Sequence, residues 1–465
     1  MMTVSEAAHV LNAEWSGGTD VRFTGVSTDS RTLKPGDLFV ALTGERFDGI
    51  RFVASAKERG AVAAMIRQLG GSGDWPVDFA VMCVEDTRIG LGQLAAHWRS
   101  RFALPLIGVT GSNGKTTVKE MIAAILRHAT GIAEMGASGQ VLATEGNLNN
   151  GIGVPQMLLR LRAQHRYAVI EMGMNHPGEI AYLTDLAKPD VAVITNAGAA
   201  HIEGLGSVEA VARAKGEIFS GLHRHGVAVI NADDQFAPLW RELAGPCRII
   251  DFGLCGNAAV SASYQTDRLI SRLQLQLPGD SIPVMLQAPG VHNVYNALAA
   301  AAAATALNID KETIAAGLQS FHGVQGRMQK KRGLHHALLI DDTYNANPES
   351  VRAALAVLAS TQGKKILVLG DMGELGHAAV ELHRNIGKDA RKAGLDQMLT
   401  LGELSAYAAE TFGKGARHFT DINELLNVTE GLLADDVTLL VKGSRFMHME
   451  RVVQQLEQPE EVSCC

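Results

Sequence analysis

A chain of 465 residues, 46% hydrophobic and 20% charged, is too long for one ordinary core and calls for about three soluble domains. A net charge of −7 argues against a nucleic-acid-binding surface and supplies no basic tail for a membrane. The longest small-residue run, Ala297–Ala306, ends far short of the roughly 20 apolar residues that span a bilayer. The opening Met-Met-Thr-Val-Ser-Glu has no basic region followed by an apolar stretch, so no signal peptide is expected. The cysteines (Cys83, Cys247, Cys255, Cys464, Cys465) are few and irregularly spaced, which indicates neither a zinc site nor a disulfide framework and fits a reducing cytoplasm. Cys464-Cys465 reads as a frayed tail.

From the N-terminus the pattern is mixed. Phe39–Leu42 reads as a buried strand, Ala54–Gly60 as a helix, and Ala61–Ile66 as a further apolar run; Gly70–Pro76 marks a boundary region. Between about 84 and 325, strand and helix patterns alternate as in a mostly parallel α/β sheet. Strands are expected at Pro105–Val109, Tyr167–Ile170, Val191–Thr195 and Val227–Ile230, and helices at Val118–His128, Pro177–Ala187, Val208–Leu222 and Asn293–Leu307. Gly136–Gln140 reads as a loop, and Ser261–Pro289 as a more antiparallel insert. A third unit begins near Arg327, with strands expected at Ala337–Ile340, Lys365–Leu369, Met398–Leu401 and Thr438–Val441. It is Rossmann-like but has no G-x-G-x-x-G, so no dinucleotide cofactor is indicated. The expected domains are 1–83, a small mixed α/β unit; 84–325, a central mostly parallel sheet; and 326–465, Rossmann-like.

The most informative stretch is Leu106–Thr117. An apolar run ends in a glycine turn, Thr110-Gly111-Ser112-Asn113-Gly114-Lys115-Thr116-Thr117, which opens onto a helix. Such a loop turns successive backbone N–H groups around a phosphate chain. Lys115 adds positive charge, and the Thr116 hydroxyl can ligate Mg²⁺. A strict phosphate-loop pattern wants Gly at position 109, where this chain has Val. Glu171, just past a strand end, can bind the same Mg²⁺. His201 follows another strand, and Lys215 lies in Ala214–Phe219; taken singly, each reads as an ordinary loop or helix residue. Asn293 and Asn296 offer amides suited to an adenine edge, with helix capping by Asn293 as the competing reading. No Ser-His-Asp or Cys-His constellation is evident.

The ordered set TGSNGKT, GNLNNGIGVP, VIEMG, NAGAAHIEGLGS, AKGEIFSGL, GVHNVYNALAA and DDTYNANP resembles the Mur ligase family. So do the blocks Val26–Arg31, Pro35–Leu42 and Gly370–Gly376. The resemblance implies an ATP- and Mg²⁺-dependent amide-forming ligase of the bacterial cytoplasm, expected to be a monomer. It would join D-alanyl-D-alanine to UDP-MurNAc-tripeptide through an acyl phosphate, in cell-wall precursor synthesis. In that reading Lys115 and Arg327 contact phosphate, and Thr116 and Glu171 hold one Mg²⁺. His201 and a carbamylated Lys215 serve a second Mg²⁺. Asp342 matches an acid near the ribose, although Asp341 beside it leaves the position uncertain by one residue. Tyr344, Asn345 and Asn347 face the incoming dipeptide, and Lys442–Arg445 can also face the cleft. Ser27, Thr28, Asp29, Ser30 and Arg31 handle the UDP end, with Thr43 and Asp48 beside them; an ST-turn with a surface Arg–Asp pair is the alternative. Asn147 and Asn149 approach the peptide or metal zone. The competing functions are a Mur ligase that adds a single amino acid, folylpolyglutamate synthesis, an ATP-binding regulatory module, and a small-molecule kinase.

Overall fold

Short runs such as Val191–Ile194 and Val227–Asn231 are buried along their whole length, as strands covered on both faces must be. In the computed structural model, which describes residues 1–17, 20–44, 47–67, 79–131, 139–198, 205–267 and 269–458, these runs build three layered α/β units. The first sheet has the order Glu14–Ser16, Ala80–Val84, Ala63–Arg67, Asp37–Val40, Gly25–Ser27. Only its first pair is antiparallel.

The central sheet is parallel throughout. Its order is Arg248–Phe252, Val227–Asn231, Val191–Ile194, Leu106–Thr110, Tyr167–Glu171, Val141–Ala143. Alternation along its strands divides two cores. Ile107 and Val109 face the helices Lys115–Ala129 and Val291–Ala306, whereas Leu106 joins the opposite face with Leu183 and Ile180. The alanines of Val291–Ala306 let that helix lie close to the helix Lys115–Ala129. Ser261–Asp267, Ile270–Leu277 and Asp280–Leu286 form the expected antiparallel insert.

The third sheet runs Gln329–Arg332, Leu338–Asp342, Val437–Lys442, Lys364–Gly370, Gln397–Leu401, Ala416–Phe419 and is parallel apart from its first pair.

Two expectations need correction. The helix from Val208 ends at Gly216 and continues only as a 3-10 turn to Gly221. A Cβ at Gly216 would lie 2.3 Å from Leu243 Cδ1, so the helix end is fitted closely against its neighbour. The helix beginning at Lys115 starts three residues before the expected Val118, directly after the phosphate loop. Gly70–Pro76, most of Gly136–Gln140, and Cys464-Cys465 lie outside the described residues.

Candidate active site

The strand Leu106–Thr110 lies between Val191–Ile194 and Tyr167–Glu171, where the strand order reverses direction. Ligands of open α/β sheets bind beyond the carboxyl ends of strands at such a point. Gly111 and Gly114 make the turn, with φ of +152° and +81°. A side chain would not fit at either. A Cβ at Gly111 would stand 1.8 Å from Thr195 Oγ1, and one at Gly114 would stand 2.3 Å from Asn296 Oδ1. Asn196 fixes the loop from outside: its backbone carbonyl accepts from Ser112 N at 3.0 Å and its Oδ1 from Asn113 N at 2.9 Å.

Lys115 Nζ donates to Gly111 O at 2.7 Å, curling back over the loop. Burial pulls its ammonium below the ordinary range; Glu171 opposes that shift and Arg327 reinforces it. Arg327 reaches in from the third unit, Nη2 donating to Thr116 Oγ1 at 3.0 Å, and its guanidinium lies 4.2 Å from the Tyr344 ring centroid.

Glu171 is buried. Its Oε1 accepts from Asn149 Nδ2 at 2.8 Å, while Oε2 has no partner among the described residues. An ionised oxygen buried without a donor is costly, and a cation would satisfy it. The supports behind it were not anticipated from the sequence. Thr144 Oγ1 accepts from Glu171 N at 2.9 Å, and Thr144 O accepts from the buried Lys119 Nζ at 2.6 Å. Among the described residues no three His, Cys, Asp or Glu side chains cluster as a metal cage. Lys215 is buried, and desolvation, with Lys115 nearby, holds its amine well below the ordinary range. His201 lies outside the described residues.

A cavity of about 1440 Å³ joins these groups to the third unit. It is lined by Ser112, Asn113, Gly114, Lys115, Thr117, Glu171, Asn293, Asn296, Arg327, Asp342, Tyr344, Asn345, Asn347, Asn147 and Asn149. Thr110, Gly111, Thr116 and Lys215 do not line it. Thr110 Oγ1 turns into the sheet and donates to Met172 O at 2.8 Å. The neighbouring acids differ in position. Asp342 lines the cavity and accepts from Lys442 Nζ at 2.5 Å, whereas Asp341 is occupied by Thr343 Oγ1 at 2.6 Å. Asn293 Oδ1 accepts from Asn296 Nδ2 at 3.0 Å, and its own Nδ2 donates to Pro289 O at 2.7 Å. Beside it His292 has its pKa lowered to about 4, chiefly by burial.

The UDP-handling block is not part of this cavity. Ser27, Thr28, Asp29, Ser30 and Arg31 form the turn that the alternative reading describes: Ser27 Oγ accepts from Asp29 N at 3.2 Å, and Arg31 pairs with Asp29 at 2.7 Å on the surface, lowering the Asp29 carboxyl to about 2. Thr28 Oγ1 accepts from Gln156 Nε2 of the central unit at 2.6 Å. Asp48 caps Ile50 N at 3.1 Å, and Thr43 opens the two-residue strand that pairs with it. The cavity is instead lined near the 83/84 boundary by Asp86, Arg88 and Ile89 at the start of the helix Thr87–Arg99. Nor did sequence reasoning find Glu349, whose Oε2 accepts from Asn113 Nδ2 at 3.1 Å. With Asn347 Nδ2 donating to Asn113 Oδ1 at 2.8 Å, it ties the third unit directly to the phosphate loop. The only sequence signal for Glu349 was its place directly after the motif DDTYNANP, read for other residues.

Three family models cover the chain in order: the Mur ligase family catalytic domain over residues 22–98, the Mur ligase middle domain over 109–304, and the Mur ligase glutamate ligase domain over 326–445. The UDP-N-acetylmuramoyl-tripeptide–D-alanyl-D-alanine ligase of Escherichia coli is 42% identical over 463 residues, 98% of each chain. The chain belongs to the Mur ligase family. Another Mur ligase, the Bacillus subtilis enzyme of the same name, is 37% identical over 93% of each chain. Among solved Mur ligases, MurF from Acinetobacter baumannii superposes with a TM-score of 0.89 at 37% identity, covering 98% of both chains. The MurF ligase from Thermotoga maritima, in complex with ADP, gives 0.81 at 28% identity over 94% of this chain and 98% of that one.

Proposed function

We propose that this Mur ligase joins D-alanyl-D-alanine to UDP-N-acetylmuramoyl-tripeptide at the expense of ATP, giving UDP-MurNAc-pentapeptide, ADP and phosphate. The observation that carries this reading is the 42% identity, over 98% of each chain, with a ligase named for that reaction. A carboxylate resists attack by an amine because its electron-rich carbon has no good leaving group. Transfer of the terminal phosphoryl group of ATP to the peptide carboxylate supplies one, and the dipeptide amine then displaces phosphate. The protein needs no nucleophile of its own; it must align groups and offset crowded negative charge.

The residues suit that task. Lys115 and Arg327 would contact the outer phosphates, and the backbone N–H groups from Thr110 to Thr117 would cradle them. Thr116 and Glu171 would hold Mg²⁺, the orphaned Glu171 oxygen being the supporting observation. Lys215 would take up CO₂ as a carbamate, which needs the neutral amine that burial favours, and with His201 would serve a second Mg²⁺. The metal's contribution when bound is neutralisation of phosphate charge. Asn293 and Asn296 would read adenine, and Asp342 the ribose. Asn147, Asn149, Tyr344, Asn345 and Asn347 would face peptide and dipeptide, while Ser27–Arg31, Thr43 and Asp48 would handle the UDP end from outside the main cavity. We assign 1–83 to the muropeptide, 84–325 to ATP and 326–465 to the dipeptide. The enzyme would act as a cytoplasmic monomer; among the described residues no helix is long and apolar enough to cross a membrane.

The test is ADP release in the presence of ATP, Mg²⁺ and UDP-MurNAc-tripeptide. It should require D-alanyl-D-alanine. Equal release with single amino acids, or a phosphorylated product with no new amide, would refute the assignment.

A further inference from the structure

We infer that Arg445 binds the free carboxylate of the incoming dipeptide, held at the cavity rim beside Tyr344. This rests on the dipeptide-ligase reading above and adds to it how the second substrate is recognised. The dipeptide carries an amine that must reach the reaction centre and a carboxylate that must not compete for it. A cation at a set distance from the phosphate loop would sort the two ends.

Five Lys and Arg side chains of the described residues line the cavity: Arg88, Lys115, Arg327, Lys442 and Arg445. Lys115 is curled over Gly111 O, and Arg327 is bound to Thr116. Lys442 is buried and spends its charge on Asp342 at 2.5 Å and Asn345 O at 2.9 Å. Arg88 stands on the helix Thr87–Arg99, its Nη2 4.0 Å from where a Cβ at Gly44 would lie. Arg445 differs from all four. Its side chain is 61% exposed, and Glu450 engages it through Nη1 at 3.2 Å. Among the described residues that leaves the Nε–Nη2 edge for a planar two-oxygen acceptor.

Placement agrees with the ligand's length. Tyr344 shares its ring with both guanidiniums, Arg327 at 4.2 Å from the centroid and Arg445 at 5.7 Å. Arg327 is thus the phosphate-loop side of the pair and Arg445 the rim side. An extended dipeptide spans about 7 Å, within the reach from one guanidinium to the other by way of the ring centroid. The rim is also braced. Ser444 N donates to Asp371 O at 3.0 Å, Gly373 N donates to Ser444 Oγ at 2.8 Å, and Ser444 Oγ donates to Ala346 O at 3.1 Å, which ties together the loops after three strands. Phe446, 60% exposed on the same turn, offers apolar surface for the terminal methyl group.

The experiment compares D-alanyl-D-alanine with D-alanyl-D-alaninamide as acceptors for the full-length enzyme with ATP and UDP-MurNAc-tripeptide. Each preparation is judged by the ratio of its two kcat/KM values, which cancels any inactive fraction. Wild type should prefer the carboxylate, and Arg445→Gln should reduce that preference about 10- to 100-fold, through the dipeptide KM rather than the ATP KM. Arg445→Lys should restore part of it. An Arg445→Gln enzyme that keeps the full wild-type preference would overturn the assignment. A wild-type enzyme that accepts neither compound would overturn the dipeptide reading itself.

Discussion

At the scale of single residues, the decisive groups are charges placed where they are hard to keep. Lys215 is buried with Lys115 near it, so the unfavourable state is the ammonium. Neutral amine adds CO₂ and releases a proton, and the resulting anion turns a repelling side chain into one that attracts cations. Lys215→Ala should therefore lose most ligase activity and regain a measurable part when short carboxylic acids are added; absence of rescue would count against the carbamate. His292 makes a second prediction. Its folded pKa of about 4 lies below the unfolded value of 6.5, so the unfolded chain binds the proton first as pH falls. The associated stability is complete above about pH 6.5 and is lost progressively toward pH 4, on the order of 2 kcal/mol for a side chain at an open cavity wall. The fall in melting temperature between pH 7 and pH 4.5 should be smaller in His292→Asn than in wild type. An equal fall would show that His292 remains solvated.

At the scale of elements, close approach decides more than propensity. Gly317 sits inside the helix Lys311–Gln319, where alanine would ordinarily gain about 1 kcal/mol. Its Cβ would lie 2.4 Å from Ile125 Cα on the neighbouring helix, a backbone atom that cannot swing aside. Overpacking of that kind costs about 1–3 kcal/mol, so Gly317→Ala should lower the melting temperature; a rise would mean the helices separate freely. The same distinction explains what could be read in advance. Strands such as Val191–Ile194 were legible because burial on both faces writes an unbroken apolar run. The phosphate loop was legible because phosphate chemistry confines the residue types to one short stretch. Glu14–Ser16 was not, being three residues with an exposed–intermediate–exposed pattern, nor was Arg248–Phe252, an edge strand with a charge at its start. Arg88 and Glu349 escaped for another reason: they come to the cavity from elements far from the phosphate loop in sequence or in another unit, and nothing local marks them.

At the scale of the whole molecule, the cavity is assembled from parts far apart in sequence, with Asn113 held by Asn347 and Glu349 and Arg327 holding Thr116. Substrates divided between units, as proposed above, would have to be brought together and shielded from water before an activated carboxylate forms. Small-angle scattering should show compaction when a non-hydrolysable ATP analogue and the muropeptide bind together, and unchanged dimensions would argue against closure. The most direct test of carboxylate activation follows the oxygen atoms. With the C-terminal carboxylate of the tripeptide labelled with heavy oxygen, phosphoryl transfer to that group makes one labelled oxygen leave in the phosphate as the dipeptide amide forms. The phosphate released per pentapeptide should carry one heavy oxygen; unlabelled phosphate beside normal pentapeptide yield would contradict the mechanism.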